Sequence, residues 1–168
     1  MARISPPTGA RPGPTEVIAI GRESPLSEDL AGLMQRHSVA MVAASPPESV
    51  HMLDASGLAL ADVTFFVMRE AGVPIGMGAL KRIDDRHAEI KSMHVLAEVR
   101  GRGLARRMLA HLVAAAEDAG FTRISLETGS QPVFAPARQL YERAGFGYCG
   151  PFAGYAADSH STFMTRLL

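Results

Sequence analysis

The spacing of apolar residues changes period along the chain, and the changes mark out its elements. Residues 15–20 (TEVIAI) form a short apolar run and are predicted as a first strand. After Ser24-Pro25 the period turns helical. Leu26, Leu30, Leu33 and Met34 share one face, predicting a helix over about 26–44 that Ser45-Pro46-Pro47 ends. Residues 48–60 read as a short helical or loop segment. Residues 64–69 (TFFVMR), 73–82 and 88–95 are then predicted as three strands of a meander, with Gly76 and Gly78 marking a bulge or a close backbone approach.

From Leu104 the apolar positions are Leu104, Ala105, Met108, Leu109, Leu112, Val113 and Ala116, a helical stripe that Gly120 stops. Residues 122–127 (TRISLE) read as a strand, so strand, helix and strand make a βαβ unit with a parallel pair. Pro136 suits the first turn of a short helix ending near Ala144, and final strands are predicted at 146–149 and 162–167. The predicted class is mixed α/β: an antiparallel meander followed by a βαβ unit. Residues 1–14 carry Pro6, Pro7, Pro12, Pro14, Gly9 and Gly13 and are expected to be a loose tail, leaving 15–168 as one domain.

Composition narrows the function. The 168 residues are 47% hydrophobic and 20% charged, enough apolar material for one sizeable core. Lys+Arg and Asp+Glu are 17 each, which disfavours a general nucleic-acid binder. The single cysteine, Cys149, excludes an internal disulfide and any zinc site that needs two or more cysteines. The chain has no apolar run long enough for a membrane span and no apolar stretch at its start, so a cytoplasmic protein without a secretory leader is expected.

The chemistry concentrates in HVLAEVRGRGLARRML. Arg100, Gly101, Arg102, Gly103, Leu104 and Ala105 place two glycines where a strand becomes a helix. The first N–H groups of a helix lack intrahelical partners, the helix dipole favours an anion there, and glycine leaves the approach open. Arg100, Arg102, Arg106 and Arg107 add charge, so this turn is suited to phosphate. It is neither a Walker loop nor a dinucleotide fingerprint, since Gly-Lys-Ser/Thr and the third glycine are absent.

Two motifs then carry a resemblance. Arg100, Gly103 and Ala105 match Arg/Gln-x-x-Gly-x-Gly/Ala, and Leu140, Tyr141, Gly145 and Phe146 match a Leu-Tyr-x-x-x-Gly-Phe segment. With the order of elements, the chain resembles the GCN5-related N-acetyltransferase (GNAT) superfamily, and within it a bacterial subgroup of small-substrate members. The resemblance implies a central, twisted mixed sheet flanked by helices, acetyl-CoA as co-substrate and no metal. It implies that the backbone of Met93, His94 and Val95 pairs with the pantetheine chain. The N–H groups from Arg100 to Ala105 would take the pyrophosphate, with Arg106 near the adenosine phosphate. The acceptor would be a primary amine of a small or amino-acid-like molecule, acetylated directly, and a homodimer is allowed.

Amine acetylation needs a neutral nitrogen, and an alkylamine is mostly protonated at pH 7, with a pKa near ~10. Glu89 is the candidate general base, and Tyr141 the candidate proton donor to the leaving thiolate. The amide of Met93 or His94 is expected to polarise the thioester carbonyl. Many family members carry an Asn after the strand matching 122–127; here Ser130 or Gln131 is left for that contact. His51, the 46–49 segment, Tyr155 and Asp158 are candidates for the acceptor side. A metal trio of Asp85, His87 and Glu89 is disfavoured against a turn followed by an ordinary strand. A non-catalytic acyl-CoA-binding sensor is the alternative to an enzyme. RNA binding through Arg-Gly-Arg-Gly is disfavoured because the stretch opens an apolar helix.

Overall fold

Among the described residues, seven strands lie in one sheet, in the order β1-β2-β3-β4-β5-β7-β6. They are β1 (Ile18–Arg22), β2 (Val63–Glu70), β3 (Val73–Arg82), β4 (His87–Val95), β5 (Arg123–Gly129), β6 (Gly147–Cys149) and β7 (Ser161–Leu167). The helices are α1 (Ala31–Ala44), α2 (Ala55–Leu58), α3 (Leu104–Asp118) and α4 (Ala135–Arg143). This computed structural model describes residues 17–168, so the tail expected over 1–14 lies outside the described residues.

Strands β2 to β4 form the expected antiparallel meander, and β1 pairs antiparallel with β2. Helix α3 carries the chain from β4 to β5, which run parallel, and β7 returns antiparallel beside β5 with β6 at the edge. The apolar run of β2 serves both sheet faces, as period-2 alternation requires. Phe66 and Met68 join the core under α3, with Leu80, Ile90, Leu126, Met108, Leu109 and Leu112. Phe65 and Val67 join the opposite core with Leu30, Leu33, Leu58, Met77 and Ala79.

The first helix starts later than its pattern predicts. Leu26 is 61% exposed, because the chain first turns at Ser24, whose Oγ accepts from the Leu26 amide at 3.2 Å. A short 3-10 turn, Glu28–Leu30, follows before α1 begins. Gly78 fulfils both expectations for its strand. The β3–β4 register shifts between Met77 and Ala79, and a Cβ at Gly78 would lie 2.8 Å from Leu112 Cδ1.

Two irregularities place the site. Strands β4 and β5 pair only from His87↔Arg123 to Ile90↔Leu126, and beyond that point they part. On its other side, β4 bulges against β3: Met77 opposes His94 while Ala79 opposes Lys91, so two steps on β3 span three on β4. Within the bulge Ser92 has φ +52°, a left-handed conformation that costs a non-glycine residue on the order of 1–3 kcal/mol.

Leu112, fully buried between α3 and the glycine notch of β3, tests the packing. Leu112→Ala is expected to lower the unfolding free energy by about 2–5 kcal/mol. Urea titration should show a lower midpoint at unchanged slope.

Candidate active site

Where β4 and β5 part, a cavity of about 140 Å³ opens. Strand β4 lines it with Lys91, Ser92 and Met93, and β5 with Glu127, Thr128 and Gly129. Helix α1 adds His37 and Met41, the segment after α1 adds Ser49, Val50, His51 and Met52, and α4 adds Tyr141. Past Ile90, no strand among the described residues pairs with the β5-facing edge of β4, leaving the Met93–Val95 backbone open to a ligand chain.

Glu89 is buried on the α1 side of the sheet, and Lys91 shares its face. The Lys91 ammonium lies 3.3 Å from Glu89 Oε1 and donates to the Tyr155 hydroxyl at 2.7 Å and to the His51 carbonyl at 2.9 Å. The Tyr155 hydroxyl donates to Glu89 Oε1 at 2.5 Å. Burial first, and then the Glu89 charge, push the Tyr155 hydroxyl well above its ordinary value, so it stays a donor. The Glu89 carboxylate thus meets a cation and a phenol and does not line the cavity. Glu127 does line it, and burial raises its carboxyl above the usual carboxylate range.

Tyr141 is buried, stacks edge-on against Phe146 at 5.8 Å and lines the cavity. Burial, and then the Glu127 charge, push its hydroxyl up to about 12. His37 is only 6% exposed, and neither of its ring nitrogens has a hydrogen-bond partner among the described residues. Its ring meets His94 edge-on at 5.2 Å. His37 is lowered to about 4 by burial and then by His94, while His94 is lowered to about 4 by burial and then by Arg100 and Arg36.

The glycine turn is exposed. Gly101 and Gly103 have φ +80° and +75°, no side chain caps α3, and a Cβ at either glycine would meet nothing within 4 Å. The N–H groups of Leu104 and Ala105 therefore begin the helix uncapped. The four arginines do not all point at this turn. Arg102 pairs with Glu70, Arg107 donates to the Ile18 carbonyl at 2.6 Å, and Arg100 donates to the Val95 carbonyl at 3.2 Å. Arg106 is exposed on the first turn of α3.

The structure gathers Met93, Tyr141 and the 49–52 segment around one cavity, with His94, Val95 and the glycine turn continuing along β4. Asp85, His87 and Glu89 do not converge: Asp85 is exposed, and His87 Nε2 bonds Ser125 Oγ at 2.7 Å. Of the two residues after β5, Ser130 is tied to the Ser159 carbonyl at 2.7 Å, whereas the buried Gln131 amide has no partner among the described residues. Lys91, Glu127 and His37 are absent from the sequence expectation. Lys91 and Glu127 had a signal, since each follows a buried strand residue by two positions; His37 had none.

Comparison with known proteins agrees with this geometry. The Acetyltransferase (GNAT) family model matches residues 30–146. The uncharacterized N-acetyltransferase YsnE of Bacillus subtilis (strain 168) is 45% identical over 146 residues, covering 84% of this chain and 97% of its own. An IAA acetyltransferase of Azospirillum brasilense is 36% identical over 154 residues, covering 90% of this chain and 98% of its own. The crystal structure of a GNAT family acetyltransferase from Elizabethkingia anophelis with acetyl-CoA bound superposes with a TM-score of 0.65 at 15% identity, covering 90% of this chain and 98% of that one. The chain belongs to the GNAT acetyltransferase family. It is an acyltransferase enzyme, and the alternative of a non-catalytic sensor falls away. No helix among the described residues is long and apolar enough to cross a membrane.

The two histidines give the fold a pH dependence with a definite sign. Folded, His37 and His94 stay neutral down to about 4, whereas a free imidazole protonates near 6.5. Between these values the unfolded chain binds more protons, so stability falls as pH drops from about 6.5 toward 4. His37→Leu is expected to flatten that slope, as read by chemical denaturation at stepped pH.

Proposed function

We propose that the protein transfers the acetyl group of acetyl-CoA directly to the primary amine of a small molecule in the cytoplasm. The observation that carries this reading is the parting of β4 from β5 beside an uncapped, glycine-flanked helix N-terminus. Together they offer an open strand edge for an amide-bearing chain and a phosphate seat at its end. Acetyl-CoA is the co-substrate and supplies an acyl group already activated as a thioester. In this reading the N–H groups from Arg100 to Ala105 hold the pyrophosphate, with Arg106 toward the adenosine phosphate. The backbone of Met93, His94 and Val95 pairs with the pantetheine, and the Met93 or His94 amide polarises the carbonyl to be attacked. The unpartnered Gln131 amide takes the contact that the family gives to Asn.

Tyr141 is the acid. Its phenol stays protonated at any working pH, and its place on the cavity wall puts a donor where a thiolate departs. Glu89 holds the acceptor wall by fixing Tyr155 and Lys91. The apolar side chains of Met41, Val50, Met52 and Met93 suit a small acceptor with an apolar body. The relative named IAA acetyltransferase puts IAA among the acceptors to screen. Cys149, a free thiol, fits a reducing compartment.

Calorimetric titration with acetyl-CoA and CoA tests the donor site. Gly103→Val places a β-branched residue at φ +75° and is expected to weaken binding at least ~10-fold without unfolding the exposed turn. A folded wild-type protein that binds neither ligand overturns the reading. Tyr141→Phe is expected to lower kcat about 10²-fold or more while leaving acetyl-CoA affinity unchanged, as read by thiol release.

A further inference from the structure

We infer that Glu127, on β5, takes the acceptor's proton, and that Glu89 serves as a positioning residue acting through Tyr155 and Lys91. This rests on the acetyltransferase reading above and deepens it.

The argument starts from register. Glu89 pairs with Ser125 in the parallel ladder, and Glu127 lies two residues beyond Ser125. Both carboxylates therefore belong to the same sheet face, but the last paired rung, Ile90↔Leu126, separates them. Glu89 lies where the strands are still joined, under Tyr155 and Lys91. Glu127 lies where they have parted, and it lines the cavity together with Tyr141. A base must reach the proton it removes, and of the two carboxylates only Glu127 borders the space an acceptor enters.

The surroundings divide the roles further. Glu89 is within 3.3 Å of the Lys91 ammonium and accepts from Tyr155, so its charge is already compensated. Lys91 in turn directs its hydrogen bonds to Tyr155 and the His51 carbonyl. Glu127 forms no ion pair among the described residues. The Ser161 hydroxyl of β7, His51 from the segment before α2 and Lys91 of β4 lower its carboxyl and Glu89 raises it, while its own charge acts on Tyr141 of α4 and on Tyr155 of the β6–β7 connection. Burial dominates over all of these and raises its carboxyl, which brings a carboxylate closer to the operating pH and makes it a better proton acceptor.

The protons balance. The acceptor ammonium gives one proton to Glu127 and becomes a neutral amine. The N–C bond then forms and the C–S bond breaks. Tyr141 gives its proton to the leaving sulfur and recovers one from the nitrogen, and Glu127 releases its proton to solvent.

The test compares wild type, Glu127→Gln, Glu89→Gln and Tyr155→Phe as full-length proteins. Acetyl-CoA binding by calorimetry comes first, and all four are expected to agree within about two-fold. Loss of binding in the wild type strikes the acetyltransferase reading itself, independently of the proton assignment. Initial rates of thiol release with benzylamine are then followed from pH 6 to 9. Glu127→Gln is expected to lower kcat about 100-fold or more and to move the acidic limb of the pH profile up toward the ionisation of the acceptor amine itself. Glu89→Gln and Tyr155→Phe are expected to raise KM and keep that limb. An acidic limb that stays at its wild-type position in Glu127→Gln, or shifts in Glu89→Gln, overturns the assignment. Infrared titration of the carboxyl band decides without turnover. A band persisting above the ordinary carboxylate range in the wild type and in Glu89→Gln, but absent from Glu127→Gln, supports the assignment, and its absence from the wild type overturns it.

Discussion

Everything functional here depends on the parallel pairing of β4 and β5 stopping after Ile90 and Leu126. A continuous ladder would satisfy its own backbone groups and leave no opening. Ending it early exposes one strand edge inside the sheet, a cost the fold can sustain only if something else meets those N–H and C=O groups. The bulge against β3, with Ser92 in a left-handed conformation, turns β4 at the same place. The glycine turn then starts α3 close to the open edge. One interruption thus creates both the cleft and the approach to the phosphate seat.

The charges are arranged in two groups with different tasks. At the glycine turn, Glu70 and the Ile18 carbonyl engage two of the arginines, so attraction for an anion rests more on the uncapped helix start than a count of charges suggests. Within the sheet, one buried ammonium, Lys91, joins β4, the segment before α2 and the Tyr155 loop. A buried ion pair is weak evidence for stability but a good device for fixing position. On the α1 side, His37 lines the cavity and stays neutral at physiological pH, as does His94 behind it.

Much of the architecture was legible because its periods are clean. The stripe from Leu104 to Ala116 and the run Val73–Arg82 appear in the structure as α3 and β3. The start of α1 was not legible: Leu26 continues the helical spacing, yet a local Ser24 bond and a 3-10 turn delay the helix. The phosphate turn and Tyr141 were readable because their chemistry is local and tied to motifs. The partners of Glu89 were not, because Tyr155 reaches it from a loop 66 residues away. Nor does spacing alone show that β4 and β5 part between Glu89 and Glu127. The side on which each carboxylate faces follows from alternation, but which of them faces a void does not.

The Lys91 junction also bears on the order in which the molecule assembles. Its partners lie 40 and 64 residues away along the chain, at His51 and Tyr155. Closing such loops costs entropy that is recovered only once both segments have arrived, so contacts of this span come late when a chain folds. The β4–β5 rungs beside it, from His87↔Arg123 to Ile90↔Leu126, span nearly as much chain as the His51 contact, so the Tyr155 contact has the longest span of the three. Of the segments that meet at Lys91, the Tyr155 loop therefore carries the largest closure cost.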